Sequence, residues 1–157
     1  MITKDYRQKL VPCISIPEFD RHAGYTAETW AFGERIDKSG NKVCGFFVDM
    51  ETYDASIVQG LDGPIVATII FKLPVHYVRW TDDSGRNAEG HRIRKAQPHL
   101  PKAVVYEIEN SETIEWFNEQ SSYIYDHGNL RHYMLFSEDI IDVICVEQPI
   151  LFEQWKE

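Results

Sequence analysis

Apolar and polar positions along the chain read mostly as short β-runs separated by turn residues. The plainest is Ile65-Val66-Ala67-Thr68-Ile69-Ile70-Phe71, rich in β-branched side chains, which predicts a buried strand. Upstream, Thr26–Ile36 and the apolar run Val43–Val48 flank Asp37-Lys38-Ser39-Gly40-Asn41 and read as a hairpin around a glycine-bearing turn. Leu10–Ile16 is β-like as well, but Pro12 and Pro17 confine it to a sheet edge or an extended lead-in. Thr52–Leu61 fits a short helix, capped by Thr52 or Asp54 and stopped by Gly60. Pro74 marks a bulge, bend or strand end, and Val75–Trp80 continues as β.

Asp82-Asp83-Ser84-Gly85-Arg86-Asn87 is turn chemistry throughout. It makes residues 79–95 a hairpin whose second arm holds the basic stretch His91-Arg92-Ile93-Arg94-Lys95. Gln97–Pro101 is a connection and Ala103–Ile108 a strand. The main amphipathic helix is expected near residues 111–126. Asn110 or Ser111 caps it, Glu112 and Glu115 sit in its first turn, Ile114, Phe117 and Ile124 share a face, and Gly128 or Asn129 ends it. Arg131–Phe136 and Ile140–Val146 form a second hairpin around Ser137-Glu138-Asp139; beyond Pro149, Phe152 and Trp155 pack as a tail. The expectation is an α+β protein, mainly antiparallel, with seven or eight strands and one main helix. The strands form either a sheet covered on one side by a helix or a half-open barrel. Repeated helical crossovers, which a parallel sheet requires, are missing from the pattern.

Composition fits one domain spanning 1–157: 43% hydrophobic, 26% charged and 13% aromatic residues supply enough apolar surface for a core without disulfides or a metal. No repeat or linker divides the chain. No apolar segment follows the N-terminal residues as in a signal peptide, and no run is long enough to span a bilayer, so the expected location is the cytoplasm. Cys13, Cys44 and Cys145 are widely spaced, an odd number without a CxxC pair, and read as reduced thiols.

Charge changes the picture most. The formal net charge is −9, which disfavours nucleic acid and anionic membranes and favours a basic partner protein. It is unevenly spread: residues 103–157 hold twelve acids against two bases, Arg131 and Lys156, whereas residues 79–102 hold six bases against three acids. Two readings follow. The acids are an acidic docking face, or they are a solvated surface paired internally with the basic hairpin.

Motifs for chemistry are missing. The six histidines form no HxH, HExxH or Cys/His zinc spacing, so no metal is expected; GxSxG, GxGxxG and the P-loop are absent, so no cofactor is expected either. Trp116 points away from the Ile114–Phe117 stripe and reads as an exposed anchor or as covered by the tail. These features favour binding over catalysis. The first expectation is an acidic protein-binding module that occludes a basic surface, of the inhibitor or immunity-protein type used in phage or bacterial defence. Its contact residues would be Glu112, Glu115, Trp116, Glu119 and Tyr123 on the helix with Glu138 and Asp139 on the hairpin turn. The alternative is a binder of, or enzyme on, a nucleotide or phosphate-bearing ligand, using Asp83, His91, Arg92 and Arg94. A third reading is assembly alone, a homodimer covering Trp116 and the edge strand near Pro12 and Pro17.

Overall fold

A computed structural model describes residues 7–17, 19, 25–52, 65–82, 87–124 and 129–156. In chain order the elements are β1 (Lys9–Ile14), β2 (Tyr25–Ile36), β3 (Lys42–Thr52), β4 (Ile65–Lys72), β5 (Val75–Asp82), α1 (Asn87–Ala96), β6 (Val105–Glu109), α2 (Glu112–Gln120), β7 (Arg131–Phe136), β8 (Asp139–Cys145) and β9 (Ile150–Lys156). The α+β, mainly antiparallel character read from sequence holds. The described strands number nine and divide into two antiparallel sheets, of order β1-β6-β7-β8-β5 and β2-β3-β4-β9. The ninth is the C-terminal segment expected as a packed tail, which pairs with β4 from Ile65↔Lys156 to Ile70↔Ile150. The proposed helix at 52–61 falls mostly outside the described residues.

Alternation on each strand builds the layers. On the five-stranded sheet Tyr133, Leu135, Ile141, Val143 and Cys145 point one way and meet Phe46, Val48, Met50, Ala67, Ile69 and Phe71 of the four-stranded sheet in one buried cluster. The opposite face of the five-stranded sheet carries Leu10, Tyr106, Ile108, Met134 and Ile140, and Ile93 of α1 packs there. The fold is therefore two packed sheets with the helices over one outer face.

Two sequence readings are corrected. Residues 87–96 are a helix, so the 79–95 segment is a strand followed by a helix and not a hairpin. Arg92-Ile93-Arg94 imitates strand alternation, but Ile93 is the buried residue of the stretch, Glu89 lies in the first turn, and Arg94 and Lys95 lie in the last, as a helix dipole favours. The main helix is also shorter than 111–126. It ends at Gln120 because Ser122 and Tyr123 turn left-handed, and their N–H groups close on the Glu119 and Asn118 carbonyls at 3.2 and 2.7 Å, three and five residues back, instead of four. Ile124 is consequently exposed and does not extend the apolar stripe.

The edge expected for the first strand is observed. β1 closes one side of the five-stranded sheet, with Pro12 in it. The free backbone of Leu10 is satisfied by the Gln97 side chain, whose Nε2 donates to Leu10 O at 3.0 Å and whose Oε1 accepts Leu10 N–H at 2.8 Å. That amide occupies positions another strand would use.

On the four-stranded sheet, Asp49 accepts both Arg35 guanidinium nitrogens at 2.7 Å and the hydroxyls of Thr29 and Thr68 at 2.6 Å. Partial burial raises its pKa, but these hydrogen bonds and the Arg35 charge outweigh it and hold the carboxyl at about 2. The stabilisation is thus complete above the ordinary carboxylate pKa and lost as pH falls toward 2. Asp49→Asn should cost about 2 kcal/mol at pH 7, and the difference from wild type should shrink between about pH 4 and pH 2 in urea melts across that range.

Gly45 has a steric reason. A Cβ there would lie 2.5 Å from the Phe71 carbonyl oxygen and 3.0 Å from an Ile70 side-chain carbon, whereas one on Gly33 would meet nothing within 4 Å. Gly45→Ala should destabilise by about 1–3 kcal/mol and Gly33→Ala by much less, read as urea midpoints.

Candidate functional site

The outer face of the five-stranded sheet holds a buried polar line. Asp142 interrupts the apolar run of β8 and has no solvent exposure. Its Oδ2 accepts Arg79 Nε and Nη2 of β5 at 3.2 and 3.1 Å, and its Oδ1 lies 2.7 Å from Nε2 of His132 on β7. His132 is 1% exposed, and its Nδ1 lies 2.7 Å from the Ser111 hydroxyl oxygen. In the tautomer whose Nε2–H donates to the carboxylate, Nδ1 accepts from the Ser111 hydroxyl. The same Ser111 oxygen accepts the Ile114 N–H at 3.0 Å and caps α2. The cap is therefore tied to the sheet through His132 and Asp142.

Just ahead of the cap, β6 ends at Glu109, Asn110 is left-handed with φ 55°, and Ser111 begins the helix. The Glu112 N–H donates to the Gln8 side-chain carbonyl at 2.8 Å, and Gln8 is buried. A cleft of about 270 Å³ opens beside this corner, with Arg79 at its base, Glu89 and Arg92 of α1 on one wall, and Glu112, Thr113 and Trp116 of α2 on the other.

This cleft brings together residues expected to belong to different surfaces. Arg92, anticipated as part of a ligand site, faces Glu112 and Trp116, anticipated as partner contacts. Of the other expected ligand residues, His91 and Arg94 are exposed neighbours with their side chains 3.3 Å apart, and Asp83 lies outside the described residues. The hairpin meant to hold them is not formed, because residues 87–96 are a helix. The basic stretch, as α1, lies across the cleft from acidic α2.

The expected partner residues divide. Glu112, Glu115, Trp116 and Glu119 all lie on the exposed side of α2, while Ile114 and Phe117 turn toward the sheet, Phe117 against His76 and Tyr77. Trp116 meets Tyr77 in a tilted ring contact, centroids 5.3 Å apart, and remains 45% exposed; Tyr123 is 58% exposed. Glu138 and Asp139 lie elsewhere. Asp139 pairs with Asp82 at one end of β5, whereas α2 sits over Tyr77 and His132, both opposite Ile144. Five residues of strand separate the two places, about 17 Å.

The cysteines are poor nucleophiles. Burial pushes Cys145 up to about 12, and burial also raises Cys13. Among the described residues no group of three or more His, Cys, Asp and Glu could hold a metal ion, and no helix is long and apolar enough to cross a membrane.

Sequence reading found Ser111 as a cap but missed its partners. A lone acid inside the apolar run Ile140–Cys145 and a lone arginine in the β-run Val75–Trp80 were the available signals. Comparison with known proteins gives no relative: no family, no curated protein and no solved structure matches the chain.

His132→Ala should cost about 3–5 kcal/mol, because Asp142 loses a buried donor. Ser111→Ala should cost about 1 kcal/mol as a lost cap. The double variant should fall short of their sum, since the groups act in series. Urea denaturation of the three proteins reads each value and the coupling.

Proposed function

We propose that the protein is an acidic protein-binding module, of the inhibitor or immunity-protein type, that occludes a basic surface of its partner. Its docking face is the exposed side of α2 with the turn after it: Glu112, Glu115, Trp116, Glu119 and Tyr123. The observation that carries this reading is how α2 ends. Ser122 and Tyr123 are consecutive non-glycine residues at φ 54° and 60°, and they leave Tyr123 and Ile124 58% and 74% exposed. Left-handed backbone costs about 1–2 kcal/mol per such residue, a cost retained here to present an aromatic and an aliphatic side chain to water.

The helix leading to that turn supports the same reading. No residue of α2 is buried, it has acids in its first turn and no base in its last, and Trp116 lies between Glu115 and Glu119 on its outer side. Acids around an exposed tryptophan suit a partner offering lysines or arginines around an apolar recess, with charge steering the encounter and the aromatics holding the complex. Glu138 and Asp139 form a separate acidic point, which the same partner reaches by spanning the sheet. The small-ligand alternative reduces to the cleft with Arg79 and Arg92.

The test uses the immobilised protein and a lysate of its source organism at low and high salt, followed by binding kinetics with the retained protein. A basic protein should be retained at low salt and released at high salt. Exchanging Glu115 and Glu119 for lysine should slow association by about tenfold or more, and Trp116→Ala should speed dissociation. Unchanged association for the double reversal at low salt would place the contact elsewhere.

A further inference from the structure

Ser111, His132 and Asp142 are joined in series, and the order is that of a nucleophile, a base and the carboxylate that orients the base. In the tautomer that donates from Nε2 to Asp142, the Nδ1 lone pair is aimed at the Ser111 hydroxyl oxygen, 2.7 Å away. Ser111 stands on a strand–turn–helix corner after a left-handed residue. The next backbone N–H, that of Glu112, already holds a carboxamide carbonyl, Gln8 Oε1 at 2.8 Å. An amide carbonyl on an N–H beside a serine hydroxyl marks the position an acyl oxygen takes in acyl transfer. Gln8, Glu112 and Thr113 also line the 270 Å³ cleft, so the cleft adjoins the corner that the Gln8 side chain covers.

We infer that this corner is an acyl-transfer site closed by Gln8, which hydrolyses small acyl esters when the Gln8 side chain withdraws. Ser111 Oγ attacks the carbonyl carbon as its proton passes to His132 Nδ1. The carbonyl electron pair moves onto oxygen and is held by the Glu112 N–H. Collapse of this intermediate breaks the bond to the leaving alcohol oxygen, which takes the proton from Nδ1. Water then attacks the acyl-Ser111 ester, giving one proton to Nδ1, and the second collapse returns that proton to Ser111 Oγ. One ester and one water become one acid and one alcohol, with no redox change. Asp142 is a positioning residue throughout, and Arg79 holds its other oxygen. The chemistry uses the buried N-cap Ser111 and the Glu112 backbone, and it does not rest on the proposed docking role of α2.

The test treats the intact protein and a Gln8→Ala variant with an alkyl fluorophosphonate, which phosphonylates an activated serine, and locates the adduct by peptide mass spectrometry. Hydrolysis of p-nitrophenyl acetate is followed in parallel. The adduct should form on Ser111, and about tenfold faster in Gln8→Ala, the factor given by loss of one competing hydrogen bond of about 1.4 kcal/mol. Asp142→Asn should slow both reactions in a protein whose circular dichroism matches wild type. Ser111 left unmodified in wild type and in a folded Gln8→Ala variant, or adducts confined to other serines, would overturn the proposal.

Discussion

A carboxylate without solvent exposure must be answered by donors, because an unpaired buried charge costs several kcal/mol. Asp142 imposes that requirement on β8, next to the edge strand β5 of the five-stranded sheet. Arg79 answers it from β5 on one side and His132 from β7 on the other, so the two strands flanking β8 are tied to it by side chains as well as by backbone. The demand then passes outward. His132 holds Ser111, Ser111 holds the first turn of α2, and the backbone there holds Gln8. The position of the acidic helix over the sheet traces back to one charge in an apolar strand.

Local patterns were legible in the sequence wherever one face alternates with the other. Both hairpins, the buried run at Ile65–Phe71 and the edge character of the first strand were readable from turn residues, β-branching and proline. The 87–96 helix was not, because Ile93 flanked by arginines satisfies a period of two as well as a helix with one buried residue. The early end of α2 was hidden too. It depends on Ser122 and Tyr123 turning left-handed, a conformation usually signalled by glycine or asparagine and here taken by neither. The buried line escaped for a different reason: Ser111, His132 and Asp142 come from a turn and two strands, and only sheet register brings them together.

Charge in this protein is organised by distance from that sheet. Residues of the basic helix α1 and the acidic helix α2 line one cleft, with Arg79 and Arg92 beside Glu89 and Glu112. What remains outward on α2 is acidic, and the aromatic side chains beside it are held by Tyr77 on one side and a left-handed turn on the other. Inner and outer sides of the same nine-residue helix thus have different chemistry: a capped, buried start with a serine and a histidine, and an exposed surface of carboxylates and rings.

The first strand pairs with β6 across a very long loop, Lys9 lying opposite Glu109, and its free side is completed by Gln97. During synthesis at about 5–20 residues per second, β1 waits about 5–20 s for its partner strand to be made. Over that interval Leu10 and its neighbours have neither sheet nor glutamine to satisfy them. Of the described strands, β1 thus waits longest for its partner, and its pairing is a long-range step whose loop-closure cost slows folding.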